Sequence, residues 1–259
     1  MDACQTAAVT WLLDLDGVVW LAHRPIPGAA AAVARLREVG ERVVFFTNNS
    51  GPTIDDHVGH LASVGIPAEP GDVLTSGQAA ASLLDPGTTA AVVGGKGIVD
   101  ALTERGVQIV PATDHPGALV AGRTTDLSYA TLSSAAAAIR DSSRFLATNT
   151  DATYPTPDGP VPGAGAIVAF LRVAAGVEPT VAGKPAAAAA RLVADRIGPI
   201  AVSVGDRVDT DGLFAAATGS RFALVLTGVT SRSDLPVSPA PDIVGDDLTA
   251  VVRQELQPR

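Results

Sequence analysis

Short apolar runs, several of them β-branched, alternate along this chain with alanine-rich stretches of helical spacing. The runs at Val9–Leu15, Arg42–Thr47, Ala90–Val93, Ala118–Ala121, Arg144–Ala147, Ala201–Val204 and Phe222–Leu226 predict strands. Beyond the second run, Ile54, Val58, Leu61 and Val64 recur at the spacing of one helical face. Ala30–Val39, Tyr129–Arg140, Ala164–Ala174, Ala186–Arg196 and Thr210–Ala217 also read as helices. Strands alternating with helices in this way predict βα units, hence an α/β fold with a doubly wound, mostly parallel sheet.

Helix-breaking Gly and Pro cluster at two element changes, "SGQAAASLLDPGTT" near residue 80 and "AAGVEPTVAGKP" near residue 180. The stretch between them has its own βα pattern. The expected organisation is therefore a core built from residues 1–78 and 178–259, with residues 79–177 inserted as a smaller α/β domain.

Composition narrows the classes. With 259 residues, 47% hydrophobic and 17% charged, the chain can bury a substantial core. A net charge of −9 argues against nucleic-acid and anionic-membrane partners. No apolar run approaches the ~18 residues of a membrane span, and no basic leader precedes the first apolar run, so the expected setting is the cytoplasm. Cys4 is the only cysteine, which excludes an intrachain disulfide and agrees with a reducing compartment. The 18 basic residues include just two lysines, Lys96 and Lys184, so each lysine invites a chemical reason.

Ligands of a doubly wound sheet bind beyond the carboxyl ends of its strands. The first core strand is followed by Asp14 and Asp16, whose i, i+2 spacing aims both carboxylates to one side of the sheet. Two carboxylates ~4 Å apart repel by about 4 kcal/mol at an effective dielectric of 20, which calls for a proton or a cation. The second core strand ends in Thr47, Asn48, Asn49 and Ser50; Lys184 precedes the Ala186 helix; Asp206, Asp209 and Asp211 follow the next strand. Singly, each has an ordinary alternative as a turn, a helix cap or a solvated charge. Together they supply hard oxygen ligands for Mg²⁺, a carboxylate nucleophile, an acid/base, and a cation with hydroxyl and amide donors for a transferring phosphoryl group. His57 and His60 lack a third ligand nearby and read as a solvated helix face. "GGKG" at 94–97 lacks phosphate-loop spacing.

The segments "DLDGVVW", "FFTNNS", "AGKP" and "VGDRVDTDG", in that order, resemble the four motifs of the haloacid dehalogenase superfamily. "ATNTDATYPTPDGPVPGAGAIVAFL", "VLTGV" and "APDIVGDDL" are similar to its 4-nitrophenylphosphatase/phosphoglycolate phosphatase (NagD-like) branch, which carries an α/β cap inserted after the second motif. The resemblance implies a phosphatase with Asp14 as nucleophile and Asp16 as acid/base. It implies phosphate contacts from Thr47, Asn48 and Lys184, Mg²⁺ ligation by Asp14, Asp206 and the Asp16 carbonyl, and a supporting place for Asp211. The expected substrate is a small phosphorylated metabolite such as glycerol phosphate or phosphoglycolate, with nucleotide and sugar phosphates as alternatives. Cap-mediated dimers are common in the branch, so a homodimer through the cap is also expected. A dehalogenase would need neither Asp16 as an acid nor a metal site at Asp206. A phospho-aspartate signalling domain would be about half this length, and a catalytically idle binding protein would not need every catalytic position filled. Val18 stands where many members carry Thr, and Lys96 where relatives carry an acid. Arg123 and the "ATNTD" stretch are further polar positions of the inserted domain.

Overall fold

The computed structural model describes residues 9–21, 24–156 and 158–257; Cys4 lies outside them. Two parallel sheets organise the chain. The first has six strands in the order Ile243–Gly245, Arg221–Val225, Val202–Gly205, Thr10–Leu13, Arg42–Thr47 and Val73–Thr75. Thr10–Leu13 is central: Leu13 is in register with Val204 on one side and Phe45 on the other. From that strand the chain winds first toward Val73–Thr75 and later, after the second sheet, toward Ile243–Gly245. The topological switch point therefore lies at the end of Thr10–Leu13, where such sheets place their ligands.

Burial on both faces explains why these strands read as continuous apolar runs. Trp11 and Leu13 pack with Val33 and Leu36 of helix Ala29–Glu38 and with Val251 and Val252 of helix Leu248–Glu255. Leu12, Val44 and Phe46 face the other way, toward Ala189 and Leu192 of helix Ala187–Arg196. That second core continues through Ile98 and Leu102 of helix Lys96–Glu104 to Ala90, Val120 and Leu146 of the second sheet. The second sheet runs Thr180–Val181, Arg144–Ala147, Ala118–Ala121, Thr89–Val93 and Gln108–Ile109. Its other face is covered by Tyr129–Arg140 and Ala164–Ala175, through Ala135, Ile139, Ile167 and Leu171. Alanine at both helix and strand positions lets these layers approach closely.

Some elements differ from the sequence reading. The first strand ends at Leu13 rather than Leu15, because the Leu15 carbonyl accepts from the Val19 and Trp20 N–H groups at 2.9 and 3.2 Å and turns the chain. The expected helix over Thr210–Ala217 is a π-helical turn, Val208–Gly212, leading into Leu213–Thr218. Thr180–Val181 joins the second sheet beyond residue 177, pairing with Leu146 and Ala147. The His57–His60 face is not solvated as expected. His57 is buried with Nε2 3.2 Å from the Asn49 carbonyl, and the His60 ring packs edge-on against Trp20 at 4.5 Å. Lys96 is an exposed helix residue paired with Asp100 at 2.6 Å. Among the described residues no helix is long and apolar enough to cross a membrane.

Candidate active site

The strand-end residues converge on one cavity of about 60 Å³. It is lined by Asp14, Asp16, Thr47, Asn48, Lys184, Asp206 and Asp211 from the first-sheet side, and by Arg123, Asn149, Asp151 and Tyr154 from the second-sheet side. A cavity needs roughly 10–15 Å³ to hold one water, so this one takes a few waters or one compact group.

Asp14 follows the central strand and keeps its ladder contact, its N–H donating to the Val204 carbonyl at 2.9 Å. The next turn puts Gly17 at φ +83°, and a Cβ there would sit 2.5 Å from the Asp206 carboxylate. Gly228 crowds the same carboxylate from the opposite loop. Only glycine meets both the backbone and the contact demand at position 17. Asp206 is thereby wedged between two loops, where its Oδ2 accepts the Val229 N–H at 2.6 Å.

Lys184 is the buried cation of the cluster. Its Nζ donates to Asp14 Oδ1 at 2.8 Å and to Asp211 Oδ1 at 2.6 Å, with 3% of the side chain exposed. Asn48 fixes the lysine backbone from both sides: its Oδ1 accepts the Lys184 N–H at 2.9 Å and its Nδ2 donates to the Lys184 carbonyl at 3.1 Å. Thr47, last in its strand, accepts the Asn49 N–H through Oγ1 at 3.0 Å. Asp211 sits in the π-helical turn and also accepts the Arg207 N–H through Oδ2 at 3.2 Å. Asp209, two residues earlier, is exposed and faces Arg207.

Oxygens of Asp14, Asp206 and Asp211 lie within 4.8 Å of one another. At that separation each pair of charges repels by on the order of 3 kcal/mol at an effective dielectric of 20. Burial pushes the Asp14 carboxyl well above its ordinary range; Lys184 opposes this, while Asp211 and Asp206 add to it. Asp206 is pushed up to about 7, by burial first and then by Asp211, against the Val229 N–H. Burial also works against the Lys184 ammonium, but Asp14 and Asp211 outweigh it and hold the lysine above its usual value. One ammonium among three carboxylates leaves negative charge to neutralise, and Asp206 Oδ1 is buried with no hydrogen-bond partner. An all-oxygen cluster with an orphaned buried lone pair fits a small hard cation such as Mg²⁺.

The second-sheet side adds groups that sequence reasoning could not place. Asn149 Nδ2 donates to the Asn48 carbonyl at 2.6 Å, and Asp151 Oδ2 accepts from Asn48 Nδ2 at 3.3 Å. Burial raises the Asp151 carboxyl, against Arg207 and Asn48. The Tyr154 hydroxyl donates to Asp16 Oδ1 at 3.1 Å; burial, and then Asp16, hold its proton above the ordinary tyrosine range. Ser50, expected in the polar cluster, instead donates to Thr148 Oγ1 at 2.9 Å, joining the two sides behind the cavity. The signal for these contacts was the polar run "ATNTDATY" after a buried strand, but not its partners.

Residues 11–108 match the haloacid dehalogenase-like hydrolase family model, and residues 181–251 match a second model described as HAD-hydrolase-like. The chain belongs to the haloacid dehalogenase-like hydrolase family. It is 38% identical over 250 residues to a D-glycerol 3-phosphate phosphatase of Mycobacterium tuberculosis, covering 93% of this chain and 70% of the relative. The structure of a glycerol phosphate phosphatase from that organism in complex with magnesium superposes with a TM-score of 0.87 at 37% identity, over 95% of this chain and 77% of the other. A p-nitrophenyl phosphatase from Archaeoglobus fulgidus gives a TM-score of 0.87 at 30% identity, over 96% of this chain and all of the other. The two matched segments of this family member flank the second-sheet residues that complete the cavity.

Proposed function

We propose that this family member is a Mg²⁺-dependent phosphomonoesterase that acts on a small phosphorylated metabolite, glycerol phosphate or a similar short ester, through an aspartyl-phosphate at Asp14. The observation that carries the reading is the placement of Asp14 at the switch point, paired with buried Lys184 and sharing one small cavity with Asp16. The names of its relatives agree with it.

An Asp14 carboxylate oxygen attacks phosphorus, the ester P–O bond breaks, and Asp16 gives its proton to the leaving oxygen. Water then attacks the acyl phosphate, Asp16 takes the water's proton, and inorganic phosphate leaves with Asp14 restored. The Lys184 ammonium, the Thr47 hydroxyl and the Asn48 backbone N–H bind the phosphoryl oxygens, the Asn48 amide being taken up by Lys184 and Asp151, and Asp211 holds Lys184 in place. Asp14, Asp206 and the Asp16 carbonyl would hold Mg²⁺, which offsets phosphoryl charge when bound. Residues 79–177 act as a cap that excludes bulk water from the cavity. A cytoplasmic setting fits a small-metabolite substrate and a sequence with one cysteine.

Phosphate release from a panel of small esters is expected to require Mg²⁺ and to stop in EDTA. No release from any ester by folded protein would overturn the reading. The Asp206 carboxyl adds a second expectation. A carboxyl whose folded pKa, about 7, exceeds its ordinary 3.8 holds its proton more tightly in the fold, so stability falls as pH rises between those values. A cation that replaces the proton relieves this cost. Mg²⁺ is therefore expected to raise Tm more at about pH 8 than at about pH 5.5 in a thermal-shift series. Equal shifts would place the cation away from Asp206.

A further inference from the structure

The hairpin formed by Thr153–Tyr154 and Val161–Pro162 carries Tyr154 into the cavity, where its hydroxyl meets Asp16 Oδ1 at 3.1 Å. The two residues stand 138 positions apart, so the bond requires this hairpin to lie against the end of the central strand. The Tyr154 ring is buried, and the Arg123 guanidinium lies over its face with Cζ 4.1 Å from the centroid. Among the described residues the Arg123 side chain makes no hydrogen bond or ion pair, and its Nε is buried without a partner. The ring is the contact that holds the guanidinium, and the guanidinium in turn fixes the ring plane.

An aspartic acid serves as proton donor only when the oxygen carrying the proton faces the leaving group. A rotating carboxyl presents either oxygen. A hydrogen bond accepted by one of them leaves the other to carry the proton. We propose that Tyr154 is a positioning residue for the leaving-group step: its hydroxyl holds Asp16 Oδ1, so that Oδ2 carries the proton to the ester oxygen, and Arg123 clamps the ring in place. The proposal rests on the phosphatase reading above. In the step, the Asp14–phosphorus bond forms, the ester P–O bond breaks, and one proton passes from Asp16 Oδ2 to the leaving oxygen; the Tyr154 proton stays on tyrosine. Acid catalysis is thereby tied to the approach of the second-sheet side.

Leaving-group chemistry separates this role from a structural one. An alkoxide leaves poorly without a proton, whereas p-nitrophenolate leaves without one. The comparison uses kcat/KM, which reports the steps through loss of the leaving group and is blind to hydrolysis of the acyl phosphate. Tyr154→Phe, in the full chain with Mg²⁺, is expected to lower kcat/KM for glycerol phosphate about tenfold or more, within the range general acid catalysis supplies. For p-nitrophenyl phosphate the loss is expected to stay within about threefold. Arg123→Gln is expected to show the same selectivity with a smaller loss. The ratio of the two esters within one variant is independent of how much of the preparation is folded. Equal losses on both esters, or no loss on glycerol phosphate, would overturn the proposal while leaving the phosphatase reading intact. Wild-type inactivity on both esters would overturn both.

Discussion

Asp14→Asn is expected to reduce phosphate release on the order of 10⁴-fold or more, about 5.5 kcal/mol in the barrier, with the fold intact. Asparagine keeps the shape of the side chain and its place after the central strand but has no oxygen able to displace an alkoxide from phosphorus. The stability side comes from the electrostatics. Asp14 is one of three buried carboxylates within 4.8 Å, and burial already opposes its ionisation. Its removal leaves Lys184 paired with Asp211 at 2.6 Å and relieves two repulsions. Tm should hold or rise while activity disappears, and calorimetry beside a phosphate-release assay reads both. A Tm collapse would show that the carboxylate serves the fold rather than the reaction.

Lys184→Met is expected to fail in both respects. Methionine fills the buried channel and keeps an apolar stem near the Phe46 ring, which the ammonium now faces at 5.6 Å. It leaves Asp14 and Asp211 buried without their cation. Breaking a buried ion pair by deleting one partner costs about 3–5 kcal/mol, because the survivor stays desolvated and uncompensated. In a chain of this size that corresponds to a Tm lower by roughly 8–15 °C. Turnover should also be lost, since the phosphoryl oxygens lose their fixed charge. Low pH should restore part of the stability, because protonating Asp14, whose ionisation burial already opposes, removes unpaired charge, and it should restore none of the activity. Thermal unfolding across pH checks the first part. A variant as stable as the parent at neutral pH would mean that the pair contributes nothing to the fold.

The contrast between these two variants bears on how much the sequence reveals. The central-strand acids, Thr47 and Asp206 were legible because each follows an apolar run buried on both faces, and Lys184 because it is one of two lysines and stands just before the Ala186 helix. The short strands Val73–Thr75, Gln108–Ile109, Thr180–Val181 and Ile243–Gly245 span two or three residues and carry no period to detect. Helix Lys96–Glu104 begins directly after "GG", which reads as a loop. The burial of His57 was hidden because its partner is a backbone carbonyl, that of Asn49, which no side-chain pattern announces.

The site divides in the same way. On the first-sheet side Asp206, wedged between Gly17 and Gly228, directly follows a strand and sits in a recognisable motif. The opposing wall depends on how two sheets meet. Asn48 with Asp151 and Asp16 with Tyr154 join positions 103 and 138 residues apart, so spacing carries no trace of either pair. The "ATNTDATY" run displays the right donors and acceptors without saying what they face.

A covalent aspartyl-phosphate at Asp14 can be trapped by acid-quenching the enzyme during turnover of glycerol phosphate with Mg²⁺ and mapping the phosphoryl adduct by mass spectrometry. A single adduct is expected on the peptide carrying Asp14, absent from Asp14→Asn. Turnover with the adduct on another residue, or undiminished turnover by Asp14→Asn, would contradict it.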